Sequence, residues 1–337
     1  MKVPTVGLIF SGAGSAGVGA RAAGFKVSYL CDPRDFIVEA TWRHNFPHAQ
    51  LSRRLEDFRD TEVDLIVGSP PCSKYSLLNR TKTRLDLYST NPKAVEYTAF
   101  LNEINHRQPK AFVLENLPRI RNFLFFSYNP EDPTFYVNYY RKKRRQMETR
   151  PVLTLPGYRV FQYVICTSDV GLAQIRKRLF IVGIKAEFPW SWDPPVHHPP
   201  EWLTRAIRDI PDDAPNHQKD WLAPGEKTLW RRLKYNERTD INKKVRKMGP
   251  KLPCATIIGA GIRFFHFSEP RYLTPRECAR IHGFPDSFLF KGSTRQQLNQ
   301  IGKAIAPRIV ETLARKINTS IQITEQERAL DRLMGAI

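Results

Sequence analysis

The chain has 337 residues, enough for one large domain and one smaller domain, each with its own core. Its 53 Lys and Arg residues outnumber 33 Asp and Glu residues, and the formal net charge of +20 favours a polyanion such as nucleic acid as partner. The five cysteines form no C-x-x-C pair and no apolar run approaches about 18 residues, which argues against a zinc site, a disulfide framework and a membrane span. Glycines interrupt the apolar N-terminus too often for a signal peptide, so we expect a cytoplasmic protein.

The first half of the chain alternates short apolar runs with helical segments. Buried strands are predicted at six places, namely 6–10, 26–31, 64–68, 111–114, 158–166 and 179–184. A helix ending near Gly24 and a helix over 92–106 separate some of them. This alternation predicts an α/β fold with a parallel, doubly wound sheet, whose binding sites lie at the carboxyl ends of the strands.

The second half has a different texture, because prolines and tryptophans are frequent and clean periodicities are rare between 188 and 260. We predict a catalytic and cofactor-binding domain over 1–186, a smaller irregular domain over 187–271 and a closing segment over 272–337. Helices are predicted within the closing segment at 276–281, at 296–317 and through the last residues.

A glycine-rich loop follows the first strand and opens a helix, with Gly12, Gly14 and Gly17 at its centre. Twenty residues after Gly12, at the end of the next strand, stands Asp32. Glycines let a backbone approach a ligand closely, and an acid at this spacing can bind ribose hydroxyls. The pattern favours a nucleoside cofactor, and the alternative is a tight packing turn.

Three further segments at strand ends carry reactive side chains. Cys72 follows Pro70 and Pro71 just after a strand, where it is either an exposed nucleophile or an inert, half-buried thiol. Glu115 ends the next strand, where it is either an acid or hydrogen-bond donor or a helix-capping carboxylate. Arg176 and Arg178 enter a later strand on one side, as ligands for a phosphate and a base oxygen or as a solvated basic edge.

Taken together and in this order, these segments resemble the cytosine-C5 DNA methyltransferase family. The loop from Phe10 to Gly17 is similar to its cofactor loop, Pro-Pro-Cys72 to its nucleophile motif, and Glu115-Asn-Leu to its Glu-Asn-Val motif. Residues 174–178 resemble its Gln-x-Arg-x-Arg motif, 271–285 a late motif beside the target-recognition domain, and 300–305 its closing motif. The resemblance covers about residues 5–184 and 252–310.

The resemblance implies a Rossmann-like core that uses S-adenosylmethionine and a target-recognition domain over 187–271. Cys72 would add to C6 of a flipped cytosine, Glu115 would act at N3, and Arg178 would hold O2 with support from Arg176. The implied cofactor-binding residues are Phe10, Gly12, Gly14, Gly17, Asp32, Pro70, Lys303 and Ala304. The implied DNA-binding residues are Ser76, Thr256 and Arg271. Double-stranded DNA is the expected partner, and a monomer is expected because one flipped base needs one active site.

Lys303 stands where the family's closing motif has Asn, beside the reactive end of the cofactor. An ammonium group near a sulfonium is a repulsive contact, whereas it would pair with an added carboxylate. The alternative cofactor is therefore carboxy-S-adenosylmethionine, with 5-carboxymethylcytosine as product, unless the lysine extends into solvent. An RNA cytosine-C5 methyltransferase and a non-catalytic DNA-binding relative are rival hypotheses, and both host defence and viral genome modification fit the sequence.

Overall fold

The computed structural model describes most of the chain, namely residues 2–33, 37–71, 94–118, 124–128, 135–139, 155–191, 201–237, 245–259 and 263–334. The strands are β1 (Thr5–Ile9), β2 (Lys26–Cys31), β3 (Gln50–Ser52), β4 (Leu65–Gly68), β5 (Ala111–Asn116), β6 (Leu124–Tyr128), β7 (Phe135–Tyr139), β8 (Tyr158–Cys166), β9 (Gln174–Ile175), β10 (Lys177–Lys185), β11 (Val245–Lys247), β12 (Cys254–Ala255) and β13 (Arg263–Phe265). The α-helices are α1 (Ser15–Ala22), α2 (Ile37–Asn45), α3 (Ala94–Arg107), α4 (Leu203–Ile207), α5 (Pro224–Arg232), α6 (Pro275–His282), α7 (Thr294–Lys303) and α8 (Pro307–Met334).

Seven strands form the central sheet in the order β3-β2-β1-β4-β5-β10-β8. The first five of these run parallel, as predicted, but β10 runs antiparallel to both β5 and β8. The prediction of a parallel sheet is therefore wrong for β10, because only a short connection separates it from β8 and a long crossover would be needed for parallel pairing. As a result β10 starts at the edge of the sheet where β5 ends.

Alternate residues of the buried strands face two separate cores. Leu65 and Val67 pack with apolar residues of α1, α2 and α8, whereas Ile66 packs with residues of α3 on the other face. This pattern explains why the strands read as continuous apolar runs, since both faces of the sheet are covered. The result is a three-layer α/β fold of the Rossmann-like type that the sequence predicted.

The closing segment folds back onto the first helices of the chain. The helix predicted over 296–317 is two helices, α7 and α8, because Pro307 has no backbone N–H and disfavours a helical residue before it. From Pro307, α8 continues through the separately predicted last helix to Met334. In α7, Gln300 accepts a 2.7 Å hydrogen bond from Thr41 of α2, so the closing segment is attached directly to the amino-terminal half.

The segment between β10 and α6 contributes to two apolar clusters. Leu203 and Met248 join the main core, whereas Leu222, Leu233, Phe265 and Tyr272 form a small separate core. The boundary at residue 187 stays a prediction. Across the described ranges, none of the helices combines the length and apolarity that crossing a bilayer requires.

Candidate active site

The carboxylate of Glu115 lies at the carboxyl end of β5, where it is buried. Its Oε2 accepts a 2.6 Å hydrogen bond from the hydroxyl of Ser69, which follows β4. Its Oε1 lies 3.1 Å from Nε of Arg178. Adjacent strand ends therefore place a carboxylate, a hydroxyl and a guanidinium in one hydrogen-bonded group, which we call the Glu115 cluster.

The antiparallel direction of β10 is what brings Arg178 to this cluster. Glu115 pairs in register with Phe180, so the side chain of Arg178, two residues earlier on the same face, lies diagonally across from the carboxylate. A parallel strand would have placed its first residues at the opposite edge of the sheet. The guanidinium also donates a 2.8 Å hydrogen bond to the carbonyl of Lys177.

The next residue, Asn116, holds the loop that leads to the predicted nucleophile. Its side-chain amide donates a 2.8 Å hydrogen bond to the carbonyl of Pro70, and its Oδ1 accepts from the backbone N–H of Leu117. Pro70 is buried two residues after the end of β4. Cys72 and Ser76 lie outside the described residues, so the predictions made for them stay predictions.

The remaining cysteines are unsuited to nucleophilic catalysis, since all four of them are buried. Burial raises the pKa of the Cys31 and Cys254 thiols to about 12 and raises the pKa of Cys278 well above its usual value. Cys166 accepts a 3.1 Å hydrogen bond from the hydroxyl of Ser168. Because the thiolate is the nucleophilic form, these environments leave Cys72 as the candidate.

The glycine loop and the end of β2 form an edge that fits a nucleoside cofactor. The carboxylate of Asp32 is buried and accepts a 2.9 Å hydrogen bond from the N–H of Gly12. Gly12 has φ +50, and a Cβ placed there would meet no atom within 4 Å among the residues that the structure describes, so its backbone faces open space there. The indole N–H of Trp42 donates a 2.7 Å hydrogen bond to the carbonyl of Gly12, which holds this residue in place.

Two of the predicted cofactor glycines, Gly14 and Gly17, also have a packing role, and their cofactor contact stays a prediction. A Cβ on Gly14 would lie 2.7 Å from the ring of Phe46, and a Cβ on Gly17 would lie 2.8 Å from the same ring. Both positions therefore need glycine because α1 packs closely against the core. Phe10, predicted as the last residue of β1, is buried just after it with a left-handed φ of 53, which turns the chain into the loop.

The buried guanidinium of Arg176 joins three segments of the chain. It donates hydrogen bonds of 2.9 Å to the carbonyl of Ile257 and of 3.1 Å to the carbonyls of Gly302 and Ala304. Arg176 thus ties the strand that carries Arg178 to two other backbone segments, and the catalytic role implied for Arg176 stays a prediction. Lys303, between the two bound carbonyls, is the last residue of α7 and its side chain is exposed, whereas Ala304 is buried.

Comparison with known protein families identifies the class of the chain. Residues 5–128 and 141–319 match the family described as C-5 cytosine-specific DNA methylase. The chain belongs to this family. It is accordingly a DNA cytosine-C5 methyltransferase, an enzyme class that takes its methyl group from S-adenosylmethionine.

Two relatives span nearly the whole methyltransferase chain. The type II methyltransferase M1.HphI of Haemophilus parahaemolyticus is 25% identical in an alignment of 347 positions, which covers 93% of this chain and 87% of that protein. The type II methyltransferase M.NgoFVII of Neisseria gonorrhoeae is 28% identical in an alignment of 345 positions, which covers 93% of this chain and 86% of that protein.

Solved structures share the fold of the methyltransferase. A prophage-encoded DNA modification methyltransferase (E. coli) superposes with a TM-score of 0.72 at 20% identity, covering 95% of this chain and 99% of that one. The Dnmt2 methyltransferase of S. pombe superposes with a TM-score of 0.60 at 14% identity, covering 93% and 98%.

The hydroxyl of Thr256, a predicted phosphate contact, is exposed beside the strand that leads to Arg178. It donates a 2.7 Å hydrogen bond to the carbonyl of Ile175. A phosphate accepts hydrogen bonds and cannot donate them, so this hydroxyl must leave the carbonyl before it can bind phosphate. The DNA contact of Thr256 stays a prediction.

The position of Arg271 does not suit the DNA contact predicted for it. The side chains of Arg271 and Glu277 are each 2% exposed, and they form a bidentate ion pair with distances of 2.9 and 2.7 Å. Glu269 binds the same guanidinium at 2.8 Å. These carboxylates neutralise Arg271 inside the protein, so the structure assigns it a role in attaching the segment that precedes α6 to that helix.

His266, next to this ion pair, predicts a pH dependence of stability. Burial and the positive charge of Arg271 lower the pKa of His266 to about 4. An unfolded histidine titrates near pH 6.5, so below that pH the unfolded chain binds the additional proton. We expect the free energy of unfolding to be constant above about pH 6.5 and to fall towards pH 4, by at most about 1.4 kcal/mol per pH unit for this group.

Urea unfolding at a series of pH values measures this slope. His266→Gln should reduce the loss of stability between pH 6.5 and 4 without abolishing it, because the pKa values of His217 and His282 are lowered as well. A variant with the same slope as the wild-type protein would contradict the prediction.

Sequence reasoning missed two residues of the site. Ser69 lies within the Gly68-Ser-Pro-Pro segment, but a serine beside two prolines gives no signal of a carboxylate partner. Trp42 belongs to α2, whose buried residues Val38, Thr41, Trp42 and Asn45 have the spacing of one helical face.

Proposed function

We propose that this methyltransferase activates a flipped cytosine by covalent addition of Cys72, with Glu115 at N3 and Arg178 at O2 of the base. The Glu115 cluster is the observation that carries the proposal. It joins a carboxylate and a guanidinium at neighbouring strand ends, and these are complementary to the adjacent N3 and O2 atoms of one pyrimidine. A guanidinium has five N–H donors, so Arg178 can bind Glu115 and O2 together.

The reaction needs this activation because C5 of cytosine is a poor nucleophile. Addition of the Cys72 thiolate to C6, with a hydrogen bond or proton from Glu115 to N3, turns the ring into an enamine whose C5 attacks an electrophile. After C5 has gained its new carbon, loss of the C5 proton and elimination of Cys72 restore the aromatic ring. Asn116 supports these reaction steps because its side chain binds the carbonyl of Pro70, two residues before Cys72.

S-adenosylmethionine, when bound, supplies an electrophilic methyl group. Asp32 and the open backbone at Gly12 fit its nucleoside, because a carboxylate can accept hydrogen bonds from both ribose hydroxyls. We propose that Pro70 and Ala304 complete this cofactor site together with Phe10, which turns the chain into the glycine loop.

The DNA-reading surface is proposed for residues 187–271. A base inside a duplex must leave the stack, which costs a few kcal/mol, and basic and aromatic side chains provide binding energy. Trp202 and Trp221 are exposed, and the ammonium group of the exposed Lys251 lies 5.9 Å from the centre of the Trp202 ring. We propose that one chain binds duplex DNA as a monomer, since one flipped base needs one active site.

Lys303 supports an alternative form of the same reaction. Its side chain is exposed at the end of α7. Arg176 binds the carbonyls of the residues on either side of it, Gly302 and Ala304. If carboxy-S-adenosylmethionine is the cofactor, the ammonium group pairs with the added carboxylate and the product is 5-carboxymethylcytosine. Methyl transfer is the function we propose, because the family supports it directly.

The test is to incubate the protein with a random-sequence duplex DNA and each of the two cofactors, and to identify the nucleosides by mass spectrometry. We expect 5-methylcytosine with S-adenosylmethionine and little product on tRNA. Carboxymethylcytosine that disappears in Lys303→Asn would favour the alternative. Methylation only on tRNA, or none with either cofactor, would contradict the proposal.

A further inference from the structure

His282, at the end of α6, is fully buried and has no part in the reaction described above. Its Nδ1 lies 3.0 Å from Nε2 of Gln174, and its Nε2 lies 3.0 Å from the carbonyl oxygen of Ala304. Gln174 begins the segment that contains Arg176 and Arg178, and Ala304 follows α7 in the closing segment. One imidazole therefore connects the cytosine-binding strand with the segment beside the cofactor.

The hydrogen-bond partners of Gln174 and His282 determine which ring nitrogen of His282 carries the proton. The backbone N–H of Ile257 is a donor, so the Gln174 atom 3.0 Å away is the oxygen Oε1. Nε2 of Gln174 then donates to His282, whose Nδ1 must be the acceptor. The ring proton is consequently on Nε2, where it points to a carbonyl that can only accept.

Arg176 closes these contacts into a ring. It donates to the carbonyls of Ala304 and Ile257, so hydrogen bonds run from Gln174 through His282, Ala304, Arg176 and Ile257 back to Gln174. All of these distances lie between 2.9 and 3.1 Å, and every side chain in the ring is buried. A buried hydrogen-bonded network of this kind restricts its members to one arrangement.

We infer that His282 is a positioning residue for methyl transfer, which fixes the strand bearing Arg178 relative to residues 302–304 of the closing segment. The inference rests on the proposed role of Arg178 at the base. Transfer between two bound reactants depends on their alignment, so a shift between these two segments should slow the chemical step more than it weakens binding.

The imidazole is suited to this task in its neutral form. Burial and the charge of Arg176 lower the pKa of His282 well below its usual value. Arg178 adds a repulsive charge, whereas the hydrogen bond to the Ala304 carbonyl favours the protonated form and only partly offsets these effects. A lysine or arginine could not replace His282, whereas glutamine can accept from Gln174 and donate to Ala304.

The experiment compares His282→Leu, His282→Gln and the control His217→Leu. His217 is another buried histidine, hydrogen-bonded to Thr274 at 2.8 Å at the start of α6. For each protein we would measure the melting temperature, the dissociation constant for S-adenosylmethionine and the single-turnover rate of DNA methylation, well below the melting temperature. His282→Leu should methylate about 10-fold more slowly, with cofactor binding changed much less.

His282→Gln should recover most of the rate, and His217→Leu should lower the melting temperature while its folded fraction keeps the wild-type rate. An unchanged rate in His282→Leu, or an equal loss in His217→Leu, would overturn the inference. A wild-type protein that binds DNA and cofactor but makes no methylcytosine would instead contradict the proposed function.

Discussion

Replacing Glu115 by glutamine is expected to lower the single-turnover rate of DNA methylation about 10²- to 10⁴-fold, the usual contribution of a positioned acid or base. Glutamine keeps the shape of the side chain and still accepts a hydrogen bond from Ser69. It loses the charge that attracts Arg178 and the ability to transfer a proton to N3 of cytosine. The rate should fall while binding of S-adenosylmethionine stays close to that of the wild type.

Two variants serve as controls for this prediction. Ser69→Ala removes one hydrogen bond to the carboxylate and should reduce the rate far less. Glu311→Gln removes a carboxylate that pairs with Arg315 on the surface of α8 and should leave the rate unchanged. Glu115→Gln with the wild-type rate would show that this carboxylate takes no part in the chemistry.

Replacing Arg271 by leucine is expected to reduce the free energy of unfolding by about 3–5 kcal/mol, because the buried carboxylate of Glu277 is left without its partner. Urea unfolding measures the loss. The double variant Arg271→Leu with Glu277→Leu should be more stable than the single variant, since it buries no unpaired charge.

The neutral variant Arg271→Gln separates this structural role from the DNA contact. A phosphate contact contributes a slope of about −0.9 to the dependence of log binding constant on log salt concentration. We expect an unchanged slope for DNA binding and a lower stability for Arg271→Gln. A slope that is smaller by about one contact, with unaltered stability, would restore the DNA contact and contradict the buried ion pair.

Local patterns in the sequence predicted most strands of the central sheet. β2 and β8 begin and end at the predicted residues, and the apolar runs of β4 and β5 were found within two residues. α2 was missed although its buried residues have helical spacing, because two of them, Thr41 and Asn45, are polar. The break between α7 and α8 was missed although Pro307, the first residue of α8, is a sequence signal for it.

The candidate site was predictable where motifs lie at strand ends, because parallel strands end at one edge of a sheet. Glu115 and Arg178 meet there as expected, although the direction of β10 was not predicted. The structural roles of Arg271 and His282 depend on partners that the fold brings together. Gln174 and His282 are 108 residues apart in the sequence, a separation that no periodicity reports.

The glycine loop illustrates how one motif combines two physical demands. Gly12 faces open space beside Asp32, whereas Gly14 and Gly17 make room for Phe46. The sequence shows three equivalent glycines, because neither a positive φ nor the proximity of a distant ring is visible in it. Ligand contact and close packing can be separated only when the neighbours are known.

Covalent trapping on DNA tests the central claim most directly. Wild-type protein, Cys72→Ala and Cys166→Ala would be incubated with S-adenosylmethionine and a random-sequence duplex that contains 5-fluorocytosine, whose fluorine blocks the final elimination. Wild type and Cys166→Ala should form a denaturation-resistant adduct through residue 72, identified by peptide mass spectrometry, and Cys72→Ala should form none. An adduct that persists in Cys72→Ala, or a wild-type enzyme that methylates cytosine without any adduct, would contradict nucleophilic catalysis by Cys72.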